Sequence, residues 1–181
     1  IEDLSKGMAQ KLQFVITVLH EPELIILDEP FSGLDPVNAN LIKDEIFKLA
    51  AKGSSVIFST HRMEQVEEIC DHIVLINKGR KILDGSIARV KQEFKENLFR
   101  IAAEPLPEET GNSLFDQLSR KDHTLTLRIR EGHSPNEVLR YFIDRQANIS
   151  EFIELLPSLN EIFIRLVEGT SVSRQFQNVQ S

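Results

Sequence analysis

Apolar residues in the first half of the chain alternate between helical and strand periodicity. Met8, Leu12, Val15, Ile16 and Leu19 recur at helical spacing. They predict a helix with one apolar stripe, entered through a short loop at Leu4-Ser5-Lys6-Gly7-Met8. Leu24-Ile25-Ile26-Leu27 is an unbroken apolar run, which suits a strand buried on both faces of a parallel sheet. Pro30 stops that strand, and Ser32-Gly33-Leu34-Asp35 makes a turn. Pro36 opens a helix to Ala51, with Asp35 as its cap and Val37, Leu41, Ile42, Ile46 and Leu49 on one face. Ser54 to Ser59 holds Val56-Ile57-Phe58, a second buried strand. A short helix follows at Arg62 to Cys70, with Met63, Val66 and Ile69 inward. Asp71 to Ile76 is a third strand. Asn77-Lys78-Gly79 is a hairpin turn, and Arg80 to Leu83 pairs back. Asp84-Gly85-Ser86 then starts a helix carrying Ile87, Val90 and Phe94.

The pattern changes near Lys95, where charge rises. Leu98 to Ala103 reads as a strand, and Glu104 to Gly111 as a loop. Ser113 to Arg120 fits strand or helix; the turn signal Lys121-Asp122 favours strand. Leu125, Leu127 and Ile129 alternate with Thr126 and Arg128, as in a half-buried strand. Ser134-Pro135-Asn136-Glu137 combines a capping box with proline at the first helical position. Val138, Leu139, Phe142 and Ile143 give its helix an apolar stripe. Ile149 to Leu155 is a further strand. Ser158-Leu159-Asn160-Glu161 is a second capping box, opening a helix with Ile162, Phe163 and Leu166. The expected fold is an α/β unit with a parallel sheet over residues 1–94, then a small α+β domain over 95–168. Residues 169–181 are polar and read as a disordered tail.

Composition narrows the classes. The 181 residues allow one full domain or two small ones. A formal net charge of -7 argues against broad attraction to nucleic acid or anionic lipid. One cysteine, Cys70, excludes an internal disulfide framework and fits a reducing compartment. No run is long and apolar enough to span a membrane, and no signal peptide is evident. Ile1 is not a start methionine, so the chain reads as a fragment. Met63 and Cys70 read as core filler, with no second soft ligand nearby. His123 and His133 lie at strand ends and read as structural or solvated.

The candidate chemistry gathers around the first strand. Asp28 and Glu29 would emerge together at the carboxyl edge of the sheet, where open α/β sheets place ligands. Taken alone, such acids equally cap a helix or pair with a surface base. A magnesium ion on a nucleotide phosphate would also meet them. Ser5 and Gly7 at a helix start, reinforced by Lys6, offer a hydroxyl and free N–H groups to an anion. In isolation a plain N-cap explains them as well. His61 follows the second strand directly and could reach the same phosphate.

Leu4 to Met8 resembles the signature loop, usually LSGGQ, of ATP-binding-cassette (ABC) ATPases. LIILD, Leu24 to Asp28, resembles that family's Walker B strand, and Glu29 stands at its catalytic glutamate position. Ser32 to Asp35 resembles the D-loop and His61 the switch histidine. Their order and spacing match the family. Lys6 and Met8 depart from the signature, while Ser5 and Gly7 keep it. No GxxxxGK[ST] phosphate loop occurs in the chain, so the resemblance covers the second half of the ATPase domain.

The resemblance implies ATP and Mg2+ as ligands. Glu29 and His61 would be catalytic, Asp28 would serve the metal, and Ser5, Lys6, Gly7, Ser32 and Asp35 would contact nucleotide. It implies a second ABC ATPase subunit and a transmembrane permease as partners, no nucleic acid, and a cytoplasmic place on the inner membrane face. Residues 95–168 resemble the small domains appended to ATPases of bacterial ABC exporters. Two other readings stand beside transport. One is a soluble ABC ATPase of translation or DNA repair. The other is a regulatory or dimerising module in which the C-terminal domain is the active part.

Overall fold

The computed structural model describes residues 5–107 and 113–168. Part of the expected loop over 104–111, Leu4 of the signature loop and the expected tail at 169–181 lie outside the described residues. Two compact units divide between Asp71 and His72.

In the first unit, helix α1 runs Lys6–Val18 and strand β1 Leu24–Asp28. Helix α2 runs Pro36–Ala51, strand β2 Ser55–Ser59 and helix α3 Met63–Ile69. Strands β1 and β2 are parallel, with Leu24 opposite Ser55 and Asp28 opposite Ser59. Ile25, Leu27, Val56 and Phe58 pack with Phe14 of α1, Ile69 of α3 and Ile42, Ile46 and Leu49 of α2. Each fully buried side chain of this size contributes about 1.5–3 kcal/mol.

Several expectations fail here. The Leu24–Leu27 run is buried on one face only. Ile25 is 1% exposed but Ile26 is 69% exposed. Successive strand residues point to opposite faces, and no described element covers the second one. The stripe of α1 likewise faces outward: Met8, Leu12, Val15, Ile16 and Leu19 are exposed, and Phe14 is the buried residue of that helix. Val37 and Leu41 of α2 are also exposed. The loop expected at Leu4 to Met8 is shorter than predicted. Ser5 caps α1, so Lys6, Gly7 and Met8 are already helical.

The second unit begins with the antiparallel hairpin of β3 (His72–Asn77) and β4 (Arg80–Ser86). Lys78 and Gly79 turn it with φ of 48° and 73°, the left-handed pair that a two-residue hairpin loop requires. Helix α4 (Ile87–Glu93) follows, capped by Ser86. Strands β5 (Leu98–Glu104), β6 (Phe115–Lys121), β7 (Thr124–Ile129) and β8 (Asn148–Glu154) form one antiparallel sheet, in the order β6-β7-β5-β8. The ambiguous stretch after Ser113 is thus a strand. Helix α5 (Pro135–Ile143) packs Val138 and Phe142 against Phe99, Ile101, Phe115, Leu125 and Leu127. Helix α6 (Leu159–Glu168) buries Leu159 and Ile162. Both expected capping boxes form. Ser134 Oγ accepts from Glu137 N–H at 3.3 Å, and Ser158 Oγ from Glu161 N–H at 3.2 Å. No helix among the described residues is long and apolar enough to cross a membrane.

Candidate active site

The parallel ladder builds the site. Asp28 is the last residue of β1 and pairs in register with Ser59, the last residue of β2. The ladder continues one step further, because Glu29 N–H donates to the Ser59 carbonyl at 2.9 Å. Glu29 then adopts φ 44°, a left-handed conformation uncommon outside glycine. That turn lifts its carboxylate over the end of β2. Ser32 N–H donates back to the Glu29 carbonyl at 3.0 Å, which closes the turn.

Residues just beyond β2 receive the carboxylate. Oε1 of Glu29 accepts from the His61 backbone N–H at 3.0 Å and lies 2.6 Å from His61 Nδ1. Oε2 accepts from Thr60 Oγ1 at 3.1 Å. Burial raises the pKa of Glu29, but the hydrogen bonds from His61 and Thr60 outweigh it and hold the carboxyl below its usual range. An ionised carboxylate only accepts, so the His61 proton sits on Nδ1.

Asp28 accepts from the Ser59 hydroxyl through Oδ1. Its position suits a hard cation that needs few protein ligands. Magnesium binds in this way, keeping several waters and taking one or two carboxylates plus phosphate oxygens. No group of three or more metal-binding side chains occurs among the described residues.

The remaining expected residues gather at the start of α1 and the turn before α2. Ser5 Oγ accepts from Met8 N–H at 3.3 Å. The stem of Lys6 lies on Gly33. A Cβ at Gly33 would meet Lys6 Cδ and Cε at 3.0 Å, and the backbone there has φ 75°. The left-handed backbone favours glycine there, whereas the flexible Lys6 stem need move only slightly. Gly7 packs beside Leu34. Asp35 caps α2 by accepting from Asn38 N–H at 3.0 Å and from the Asn38 side-chain amide. These bonds to Asn38, the backbone one foremost, lower its pKa. Lys11 Nζ donates to Asn38 Oδ1 at 2.9 Å and fixes that amide. Ser32 enters through its backbone, by the bond to the Glu29 carbonyl.

Sequence reasoning missed Ser59 and Thr60 as partners of the acids. The signal available was the parallel register, which sets residue 59 beside 28. Elsewhere, burial pushes the Cys70 thiol up to about 11, so it is an inert, half-buried side chain. His123 and His133 each lie near one glutamate, at 3.9 Å and 3.5 Å, and neither belongs to a metal-binding group among the described residues.

The first unit is thus a parallel α/β unit with an acid pair at the carboxyl end of its ladder, and the second holds a small antiparallel α+β domain. Residues 85–167 match the family described as ATP-binding protein DrrA1-3-like, C-terminal domain. Residues 1–66 match a family described as AAA domain, putative AbiEii toxin, Type IV TA system. An ABC transporter ATP-binding protein of Alkalihalophilus pseudofirmus is 38% identical over 94% of this chain and 64% of its own length. The ABC transporter ATP-binding protein YhaQ of Bacillus subtilis is 38% identical over 92% of this chain and 56% of its own. A solved ATP-binding subunit of an ABC transporter overlays 51% of this chain and 39% of its own, with 36% identity and a TM-score of 0.49. The chain is similar to ATP-binding proteins of ABC transporters. It spans 64% and 56% of the length of the two curated relatives just described.

Proposed function

We propose that this chain is the C-terminal part of an ABC transporter's ATPase subunit, which couples ATP binding and hydrolysis to transport by a separate membrane permease. The observation that carries the reading is the acid pair Asp28-Glu29, set by the parallel ladder against Ser59, Thr60 and His61. Glu29 is the general base: its carboxylate takes a proton from the water whose oxygen attacks the γ-phosphorus. The leaving group is the β-phosphate oxygen of ADP. Asp28 would hold a magnesium ion, whose positive charge would offset that of the phosphates. His61 orients the γ-phosphate. Ser5, Lys6 and Gly7 offer a hydroxyl, an ammonium and backbone N–H groups to the nucleotide of a second, paired subunit, with Ser32 and Asp35 at the same junction. The permease would hold the ATPase at the cytoplasmic membrane face. Residues 95–168 form an accessory domain with no part in the chemistry.

The test uses the complete subunit. Glu29→Gln keeps the shape and removes the basicity, so ATP should still bind while single-turnover hydrolysis falls about a hundredfold or more. Asp28→Asn should instead weaken magnesium-dependent ATP binding. Unchanged hydrolysis in the Glu29→Gln subunit, with ATP bound, would sink the assignment. The chain 1–181 by itself should not turn over ATP, because no phosphate loop in it positions the substrate.

A further inference from the structure

We propose that Thr60 is the positioning residue of Glu29: its hydroxyl fixes Oε2 and so aims the carboxylate at its water. The inference rests on the reading of Glu29 as general base. Thr60 follows β2 directly, and the bond from Glu29 N–H to the Ser59 carbonyl brings residue 60 alongside residue 29. The hydroxyl is itself oriented. Oγ1 of Thr60 accepts from Arg62 N–H at 3.2 Å, so its one proton must point elsewhere. Two acceptors lie within reach, Glu29 Oε2 at 3.1 Å and Gln65 Oε1 at 3.4 Å. The carboxylate is closer and charged, and charge-assisted bonds are about twice as strong as neutral ones, so the proton goes to Glu29.

The two oxygens of Glu29 are thus held by different groups. His61 occupies Oε1 with both its amide and its ring. Thr60 is the donor on Oε2 among the described residues. If His61 turns towards phosphate, its ring leaves Oε1, and the Thr60 hydroxyl and His61 amide remain to fix the carboxylate plane. A base must present its lone pair within hydrogen-bond reach of the proton it removes. Ser59 on Asp28 repeats the arrangement: the end of one strand supplies a hydroxyl to each acid on the next.

The experiment compares Thr60→Val and Thr60→Ser in the complete subunit, with Glu29→Gln and the Thr60→Val/Glu29→Gln double variant alongside. Thr60→Val keeps the branched shape and deletes the hydroxyl. It should lower kcat about tenfold and leave KM for ATP within about twofold, because the loss lies in aiming the base. Thr60→Ser should restore kcat to within about threefold. In the Glu29→Gln background, Thr60→Val should have no further effect, since residues acting as a unit are not additive. An unchanged kcat in Thr60→Val would overturn the proposal. So would a loss that Thr60→Ser fails to rescue, or an additive double variant. Should Thr60→Val not fold, wild-type kcat in Thr60→Ala overturns it, and Thr60→Ser is compared with that variant. Failure of the parent reading looks different: Glu29→Gln itself would then retain turnover.

Discussion

The two units of this chain bury their apolar residues to different degrees. In the second unit, Phe115, Leu125, Leu127, Val138 and Phe142 are almost wholly enclosed, and aromatic pairs such as Phe115–Phe142 lock the helix to the sheet. In the first, one face of the β1–β2 sheet is packed, while Leu24, Ile26 and Ile57 stand exposed on the other. The unit with the finished core has no metal-binding group among its described residues. The unit with the acid pair leaves much of its apolar surface uncovered. Chemistry and packing thus make separate demands on the sequence. The acid pair and its hydroxyl partners need only the ladder end and the turns beside it.

The largest effect expected from this contrast concerns core truncation. Phe142 is 1% exposed, so Phe142→Ala should destabilise the second unit by about 3–5 kcal/mol. Ile26 makes the opposite case. In this chain Ile26→Thr, which keeps the β-branch, should change stability by no more than about 0.5 kcal/mol. Denaturant unfolding of residues 95–169 as a separate segment should show one cooperative transition, and Phe142→Ala should move its midpoint sharply. A non-cooperative segment, or an Ile26→Thr chain as damaged as the Phe142→Ala one, would break the comparison.

Local signals in the sequence proved easier to read than faces. Asp35-Pro36 fixed the start of α2, Lys78-Gly79 the hairpin turn, and Ser134 and Ser158 the last two helix starts. In each case the deciding interaction lies within a few residues of itself. Burial was harder. Periodicity says that Met8, Leu12, Val15 and Ile16 share a side of α1, but not that Phe14 would be the residue turned inward. Which side is covered depends on elements distant in the chain. The same limit hid half of the site. Asp28, Glu29 and His61 stand out by residue type and spacing, whereas Ser59 and Thr60 become partners only once β1 and β2 are paired in register.

If the units differ in packing and not in local satisfaction, helix caps should contribute equally in both. Ser134 in the second unit accepts from Glu137 N–H, and Asp35 in the first accepts from Asn38 N–H. Ser134→Ala and Asp35→Ala should each cost about 1 kcal/mol, measured by denaturant midpoint. A cap loss several times larger in one unit would show that its local structure leans on packing after all.

The smallest effect concerns acid, and it should have the same sign in both units. In the first, the bonds from Asn38 hold Asp35 below the usual carboxylate range. In the second, the Ser134 side chain and amide do so for Glu137, and Arg130 does so for Asp116. A carboxylate with a depressed folded-state pKa binds fewer protons when folded than when unfolded. Its contribution is therefore complete above the unfolded value, about 4. It is lost as pH falls through the depressed folded value. All three carboxylates are well exposed, so solvent screens each contribution. Denaturant midpoints measured from about pH 6 down to about pH 3 should fall, with most of the loss below about pH 4.5. Glu137→Gln removes one titrating group. That variant should start slightly less stable near neutrality and lose less on acidification, so the two curves converge. A midpoint that rises with acid, or a Glu137→Gln curve parallel to wild type throughout, would show that the capping-box carboxylate is not linked to folding in this way.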